Sequence, residues 1–170
     1  HPRSSAASDV YKRQVLKAQM AALGGSPQPM AFSEVYGALQ TGVVDGQENT
    51  WSNIYGKKFF EVQDGVTETN HGIIDYMLVT STDWWDSLDA GVRDQLSKII
   101  AEVTEARNSE STAVNESAKQ EIISSGGVVR QLTSSQRDAW VAAMMPVWDQ
   151  FKGDVGEDNI AAAQAINANH

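Results

Sequence analysis

Hydrophobic and polar residues alternate along the chain in two periods, one helical and one extended. Apolar residues at positions 15, 16, 20 and 23 predict a first helix, and the pair Gly24 and Gly25 predicts its end. Two prolines and the short apolar run Met30–Phe32 come next, and this pattern predicts an edge strand. Ser33 is a suitable N-cap for a following helix over VYGALQ, which Gly42 ends.

The next segments continue this alternation of strand and helix. The run VVDGQE predicts a brief strand, WSNIYGKKFFEVQ predicts a helix, and GVTETNHGIIDYMLVTS predicts extended chain. Within the extended segment, Met77–Val79 has the apolar composition of a buried strand. This order of elements predicts an α/β protein with a mainly parallel sheet.

The longest predicted element is a helix that begins after Asp89 and extends to about Ser124. Its apolar residues fall on one stripe at helical spacing, and two glycines at 126 and 127 predict its end. At about 1.5 Å per residue such a helix is about 50 Å long, more than the width of a small domain. A last strand is predicted over Val128–Leu132, and Thr133 with Gln136 predicts a capping box for the helix that carries Trp140, Met144 and Trp148 on one face.

Composition and charge limit the classes of partner. The chain has 170 residues, 41% of them hydrophobic, which suffices for one sizeable core or for part of a two-domain protein. A net charge of −9 argues against a nucleic-acid or membrane-surface partner, and no apolar run approaches the length of a membrane span. Because there is no cysteine, disulfides and thiolate chemistry are excluded, which fits the cytosol and the periplasm equally.

The first residues differ in character from the rest. HPRSSAASDVYKRQ has neither the apolar stretch of a secretory signal nor helical periodicity, so residues 1–14 are predicted to be a non-native leader. On this hypothesis the native gene extends upstream and the chain is a C-terminal piece of a longer protein.

The chain has little capacity for metal or nucleophile chemistry. Of its three histidines, His1 and His170 are terminal and only His71 is internal. No pair of ligands has zinc spacing, and there is no GxSxG elbow, so neither a metal site, a catalytic residue nor a cofactor is predicted.

A binding pocket is predicted where strands end. In α/β sheets, ligands bind beyond the carboxyl ends of strands, and VVDGQEN places Asn49 at such a point, with Trp51 beginning the next helix. Phe32 ends an earlier extended segment, and His71 lies where a third one breaks. The alternative, which stays open at this point, is that Phe32 and Trp51 pack in the core, Asn49 caps a helix and His71 satisfies a loop carbonyl.

Three motifs give the chain a family resemblance. The segments 31-AFSEVYGALQTGVVDGQEN-49, 58-KFFEVQ-63 and 70-NHG-72 closely resemble the DctP family of solute-binding proteins of TRAP transporters, from Val15 to near the C-terminus. The resemblance implies a periplasmic protein with two α/β lobes and a long helix shared between them, a periplasmic-binding-protein-like fold. Such a protein captures an organic acid in its cleft and delivers it to the membrane permease subunits.

The resemblance also implies roles for individual residues. It makes Asn49 a hydrogen-bond partner of the bound acid, Phe32 a wall of the cleft and His71 a cleft residue, while Trp51 fits the members that accept C4-dicarboxylates such as succinate, malate or fumarate. Asp45 and Glu48 are expected to be structural. Thr50 stands where the family often has proline.

The family's architecture assigns this chain mostly to the second lobe. Residues 15–74 and 115–168 are predicted to form that lobe, and residues 75–114 to cross to a mostly missing first lobe. Without the first lobe, apolar surface around Trp84, Trp85 and the stripe of residues 96, 99 and 100 would be exposed. The carboxylate-binding arginine of the family falls near Asp9, and Arg13 is out of register with it.

The predicted function is therefore that of an extracytoplasmic solute receptor, without catalysis. One alternative is an α/β enzyme that uses Glu48 and His71 as an acid–base pair on a carboxylate substrate. Another is a structural or interaction module with a vestigial cleft. Which organic acid is bound stays open at this point, since dicarboxylate, sialic acid and sugar-acid receptors of the family share the GQEN neighbourhood.

Overall fold

The computed structural model describes residues 14–167 and divides the chain into two compact units. The first unit contains the chain up to Glu34 together with the chain from Gln131 onward, and the second contains Val35–Arg130. Residues 1–13 of the predicted leader, with Asp9 and Arg13, lie outside the described residues, whereas Gln14 is the first residue of a helix.

Most of the described chain is helical, with one small sheet. In chain order the elements are α1 (Gln14–Ala22), a 3-10 turn (Phe32–Glu34), α2 (Val35–Gln40), α3 (Trp51–Gly56), a second 3-10 turn (Phe59–Val62), β1 (Val66–Glu68), α4 (Thr82–Ser87), α5 (Ala90–Ser124), β2 (Val129–Gln131), α6 (Ser134–Val155) and α7 (Glu157–Asn167). None of the helices in residues 14–167 combines the length and the apolar character that crossing a bilayer requires.

The core of the second unit lies between α2, α3 and the C-terminal end of α5. Its buried side chains are Leu39, Ile54, Phe59 and Ile122, and the last two are almost completely inaccessible to solvent. Gly127 lets the chain turn back tightly after α5, because a Cβ at this position would lie only 2.6 Å from the Ile122 side chain. The chain then enters β2, which pairs with β1, and just before β2 the Val128 carbonyl accepts from Val66 N–H at 2.8 Å.

Of the extended segment predicted after residue 65, only Val66–Glu68 is a strand, and the strand predicted over 128–132 is confirmed at Val129–Gln131. Two earlier predicted strands are wrong. After Gly42, which has a φ of 71°, the Val43 N–H donates to the Ala38 carbonyl at 2.8 Å. The VVDGQE segment therefore closes the end of α2 and cannot offer those backbone groups to a sheet. Met30 and Ala31 have no regular structure, and Phe32–Glu34 is a 3-10 turn in which Glu34 N–H donates to the Ala31 carbonyl at 2.9 Å.

The start of α2 and the extent of the sheet also differ from the predictions. Ser33 lies inside the 3-10 turn, so it is not the N-cap, and α2 begins at Val35. The apolar run Met77–Val79 is not a buried strand either, since its side chains are exposed and its backbone is irregular. Within residues 14–167 the sheet has two strands, so the mainly parallel sheet that the alternation predicted is not found there.

The long helix and its ends agree with the prediction. Helix α5 has 35 residues, with Asp89 at the N-cap position and Gly126 just beyond its end at a φ of 87°. The Asp89 carboxylate makes no capping bond. Instead, its backbone carbonyl accepts the first helical bond from Arg93 N–H at 3.0 Å.

The first unit is built from α1, α6 and α7, with α1 and α7 each packed against α6. The predicted capping box is confirmed: Thr133 Oγ1 accepts from Gln136 N–H at 3.3 Å, and Gln136 Oε1 accepts from Thr133 N–H at 2.9 Å. Met144 is buried, as its place on the predicted apolar face requires, and Trp140 and Trp148 are half-buried.

A mostly apolar segment of the second unit, interrupted by Asp75, is exposed. Residues 73–79 include Ile73, which is 87% exposed, and Leu78, which is 80% exposed. Trp84 and Ile99 are also exposed, at 49% and 55%. The other three residues predicted to share this exposure, at positions 85, 96 and 100, are half-buried.

Candidate functional site

The candidate site lies at the N-terminus of α3, where the motif GQENTW leads into the helix. Thr50 is the N-cap, with β-region dihedral angles, and its Oγ1 accepts from Asn53 N–H at 3.4 Å. Asn49 therefore precedes the cap, so the interpretation of Asn49 as an ordinary helix cap does not hold. Threonine is compatible with position 50, where the family often has proline, because its hydroxyl accepts a hydrogen bond from an N–H of the first turn of α3.

The side-chain oxygen of Asn49 accepts two hydrogen bonds. Thr50 N–H donates to Oδ1 at 3.2 Å, and Asn53 Nδ2 donates to the same atom at 2.6 Å. Asn53 Nδ2 also lies 3.5 Å from the Tyr76 hydroxyl. Among residues 14–167, Asn49 Nδ2 has no hydrogen-bond partner, so its two protons remain for another group.

Trp51 is the first residue of α3 and is half-buried between this helix and α5. The ammonium of Lys119, on α5, lies 5.5 Å from the centroid of the Trp51 ring, a cation–π distance. The same ammonium bonds both carboxylate oxygens of Glu68, at 3.0 and 2.8 Å. In addition, Asn115 Oδ1 on α5 accepts from Ser52 N–H at 3.1 Å. These contacts fix the first turn of α3 against the long helix and β1.

His71 is packed against the GQEN turn. Its Nδ1 is 2.7 Å from Thr69 Oγ1, and its Nε2 is 3.6 Å from Glu48 Oε2, on the residue before Asn49. The intervening Asn70 has a φ of 48°, a left-handed conformation that turns the chain between Thr69 and His71. The imidazole of His71 thus joins the loop after β1 to the turn before α3. It does so through the side chains of Thr69 and Glu48.

Three of the four residues singled out from the sequence belong to one compact unit. Asn49 and Trp51 flank the N-cap, and His71 contacts the neighbour of Asn49. Phe32 is exposed, at the start of a 3-10 turn of the other unit. Its predicted role as a cleft wall stays a prediction.

Sequence reasoning missed the residues that hold these side chains. Asn115 lies four positions before Lys119, so the two share one face of α5, and Asn53 lies on the first turn of α3, four positions after Asn49. That spacing was a usable signal in the polar middle of α5. Gln47 adds an amide oxygen that is buried and accepts no hydrogen bond from any residue of the described chain.

The site offers binding groups rather than reactive ones. Within residues 14–167, no three His, Cys, Asp or Glu side chains are grouped as metal ligands would be. The amide protons of Asn49, unpaired within the described chain, are donors that can bind an oxygen acceptor, and an indole and an imidazole are groups that can contact a small polar molecule.

Comparison with known proteins identifies the family. The family described as bacterial extracellular solute-binding protein, family 7 (DctP), matches residues 10–154. The chain belongs to this family. Membership in a solute-binding family agrees with the prediction that the chain is not an enzyme, and it argues against the acid–base alternative built on Glu48 and His71.

Two relatives of this DctP-family chain are described with a ligand, one in its name and one in its crystal structure. The C4-dicarboxylate-binding periplasmic protein DctP of Vibrio cholerae is 61% identical over 158 residues, which cover 93% of this chain and 48% of that protein. A TRAP periplasmic solute-binding protein of Shewanella oneidensis, solved with bound succinate, superposes with a TM-score of 0.88 at 44% identity, over 91% of this chain and 51% of that one.

A second solved structure has the same fold with a related acid. The TRAP periplasmic solute-binding protein of Pseudomonas aeruginosa, with bound L-malate, gives a TM-score of 0.77 at 39% identity, over 80% of this chain and 48% of that one. The DctP-family chain thus spans about half the length of the relatives it matches.

Proposed function

We propose that the complete protein carrying this chain is the periplasmic solute receptor of a TRAP transporter and captures a C4-dicarboxylate such as succinate, malate or fumarate. The observation that carries the proposal is the 61% identity, across 93% of this chain, to a C4-dicarboxylate-binding DctP protein. Solved relatives with bound succinate and L-malate support the same ligand class. The captured acid is then delivered to the membrane permease subunits.

Each predicted site residue has a role that its chemistry can fill. Asn49 donates a hydrogen bond from Nδ2 to a ligand oxygen, and Trp51 presents the ring that Lys119 holds. His71 contacts the ligand directly or through water, in an orientation supported by Thr69. Phe32 supplies an apolar wall of the cleft.

Charge balance points to a further group. A dicarboxylate carries two negative charges, yet Lys119 is already paired with Glu68, and Glu48 adds a negative charge beside His71. A cation for the ligand must therefore come from another part of the protein. The family resemblance places a carboxylate-binding arginine near Asp9, and a bidentate guanidinium is the strongest single contact for a carboxylate.

We also propose the lobe assignment that the family architecture implies. Residues 15–74 and 115–168 form most of the second lobe, and residues 75–114 cross to the first. The exposed apolar side chains of the segment 73–79 and of Trp84 support this proposal, because uncovered surface of this kind usually marks an interface. Capture then works by a hinge: the ligand contacts both lobes and stabilises the closed form over the open one.

The test is ligand-dependent stabilisation of the complete protein. Succinate, malate and fumarate should each raise the melting temperature, because a ligand that binds only the native state stabilises it by mass action. Citrate and a neutral diol of similar size serve as controls that should give no shift. Absence of a shift or of calorimetric binding with all three C4 acids would refute the proposed ligand class.

A further inference from the structure

The orientation of the Asn49 amide is set by two neighbours, one of which is a backbone N–H that can only donate. The backbone N–H of Thr50 lies 3.2 Å from one atom of the amide, and a backbone N–H has no acceptor capacity. That atom must therefore be the carbonyl oxygen. The nitrogen of the amide consequently points the other way.

Asn53 strengthens the same orientation from the next turn of the helix. Its Nδ2 lies 2.6 Å from Asn49 Oδ1, so the two lone pairs of this oxygen are both in use. Asn53 lies on α3, where Asn115 fixes the adjacent Ser52 backbone to α5. The donor is thus carried on a turn of helix that is itself anchored.

We propose that Asn53 is a positioning residue that makes Asn49 a donor-only contact, and so selects ligands that present an oxygen acceptor at this point. This inference rests on the proposed function and concerns how the same site distinguishes a carboxylate from a group that carries an N–H. A carboxylate oxygen accepts from Asn49 Nδ2, whereas an amide or ammonium N–H would meet a donor. An unconstrained asparagine could offer either edge and would accept both kinds of group.

Selectivity should change more than affinity when Asn53 is altered. Without the Asn53 bond of 2.6 Å, only the longer Thr50 N–H bond of 3.2 Å opposes rotation of the Asn49 amide. In the limit of free rotation, about half of the amide population would still present the donor, which lowers apparent affinity for a carboxylate only about twofold. The other half would present the oxygen, and ligands bearing an N–H at that point would gain access. The decisive quantity is therefore the ratio of two affinities, and succinate and its monoamide, succinamate, are suitable probes.

The experiment measures both probes by calorimetry in the complete protein. Asn53→Leu removes the donor without adding charge, and we expect it to shift the succinate-to-succinamate affinity ratio about threefold to tenfold toward succinamate. Asn53→Asp turns a donor into a charged acceptor, which should attract Asn49 Nδ2 and reverse the amide. A shift of more than about tenfold is then expected, since charge-assisted bonds are the stronger ones.

A double-mutant cycle separates this mechanism from simple charge repulsion. In an Asn49→Ala background, the effects of both Asn53 variants on the ratio should fall below about twofold, because the group through which Asn53 acts is gone. Asn108→Asp, at an exposed position of α5, adds the same charge elsewhere and should leave the ratio unchanged. Undiminished shifts in the Asn49→Ala background would overturn the proposal.

A ligand-free measurement distinguishes failure of this inference from failure of the proposed function. In side-chain amide NMR spectra, one Asn53 proton should be shifted downfield and exchange slowly, and Asn49→Ala should abolish both signatures. If the complete protein binds neither acid while these signatures are present, the function is wrong and the orientation is right. If the signatures are absent, the positioning role is refuted whatever the protein binds.

Discussion

The Lys119 ammonium lies 5.5 Å from the centroid of the Trp51 ring, although the two residues are far apart in the sequence. Glu68 holds this ammonium in place with two bonds of 3.0 and 2.8 Å. Because Lys119, Glu68 and Trp51 belong to α5, β1 and α3, one cation connects three elements around the start of the candidate site. The side chains of the ion pair are only 13% and 18% exposed, so water screens it weakly.

Loss of the Lys119 charge should be costly. Lys119→Met removes the cation from the ring and leaves the Glu68 carboxylate in a poorly solvated position, so we expect the free energy of unfolding to fall by about 1–3 kcal/mol in urea denaturation. The double variant Lys119→Met with Glu68→Gln should recover a large part of this loss, because no isolated charge remains. Equal destabilisation in the single and the double variant would contradict this account of the pair.

The N-cap at Thr50 gives a prediction with a matched control. Thr50→Ala removes the hydroxyl that accepts from Asn53 N–H, and capping losses of this kind cost about 1 kcal/mol. Thr50→Ser keeps the hydroxyl and should keep the stability to within a few tenths of a kcal/mol. Both variants retain the Thr50 backbone N–H that orients Asn49, so succinate affinity should change little in either. A loss of affinity in Thr50→Ala without loss of stability would mean that the hydroxyl contacts the ligand.

Substitutions at Glu48 and His71 distinguish a role in ligand binding from a role as a catalytic acid–base pair. Glu48→Gln preserves an oxygen that can face His71 Nε2 but removes a negative charge next to the proposed position of a dianion. Succinate affinity should therefore be equal or tighter, by up to about fivefold for a partly exposed charge. His71→Ala is the contrasting change and should weaken binding, since it removes a proposed ligand contact and leaves Thr69 and Glu48 without the imidazole. A weaker affinity in Glu48→Gln than in His71→Ala would contradict these assignments.

Local determinants explain which parts of the fold could be predicted. Helix α5 and the Thr133–Gln136 capping box depend on periodicity and on residues within one turn, and both were predicted from the sequence. The supposed strand after Gly42 has the right apolar residues. Its backbone groups are instead used to close α2, through a left-handed glycine that the apolar pattern does not reveal.

The candidate site was also predictable only in part: its residues could be singled out from the sequence, but most of the contacts that hold them could not. Asn49, Trp51 and His71 could be singled out because they follow strand-like segments and match family motifs. The contacts that hold them could not, since Lys119 and Glu68 are separated by 51 positions and no local pattern links such residues. Asn53 is the exception, because its spacing from Asn49 places both side chains at the same helix end.

The exposed apolar segment predicts how the 170-residue chain behaves alone. Leu78 is 80% exposed and lies among other exposed apolar residues of the segment 73–79, so the isolated chain should associate at micromolar concentration in analytical ultracentrifugation. Leu78→Lys should reduce this association. Val43→Lys is a matched control, because Val43 is 72% exposed but lies outside the segment, and it should leave the association unchanged.

In the complete protein Leu78→Lys should again have the larger effect, but there the substitution should destabilise the fold. There we expect the first lobe to cover the segment, so Leu78→Lys would bury a charge and should lower the melting temperature by several degrees. Val43→Lys should again have little effect. If the isolated chain is a stable monomer, or if Leu78→Lys is harmless in the complete protein, residues 73–79 are not the surface that the first lobe covers, and the assignment of residues 75–114 to the crossing segment would have to be revised.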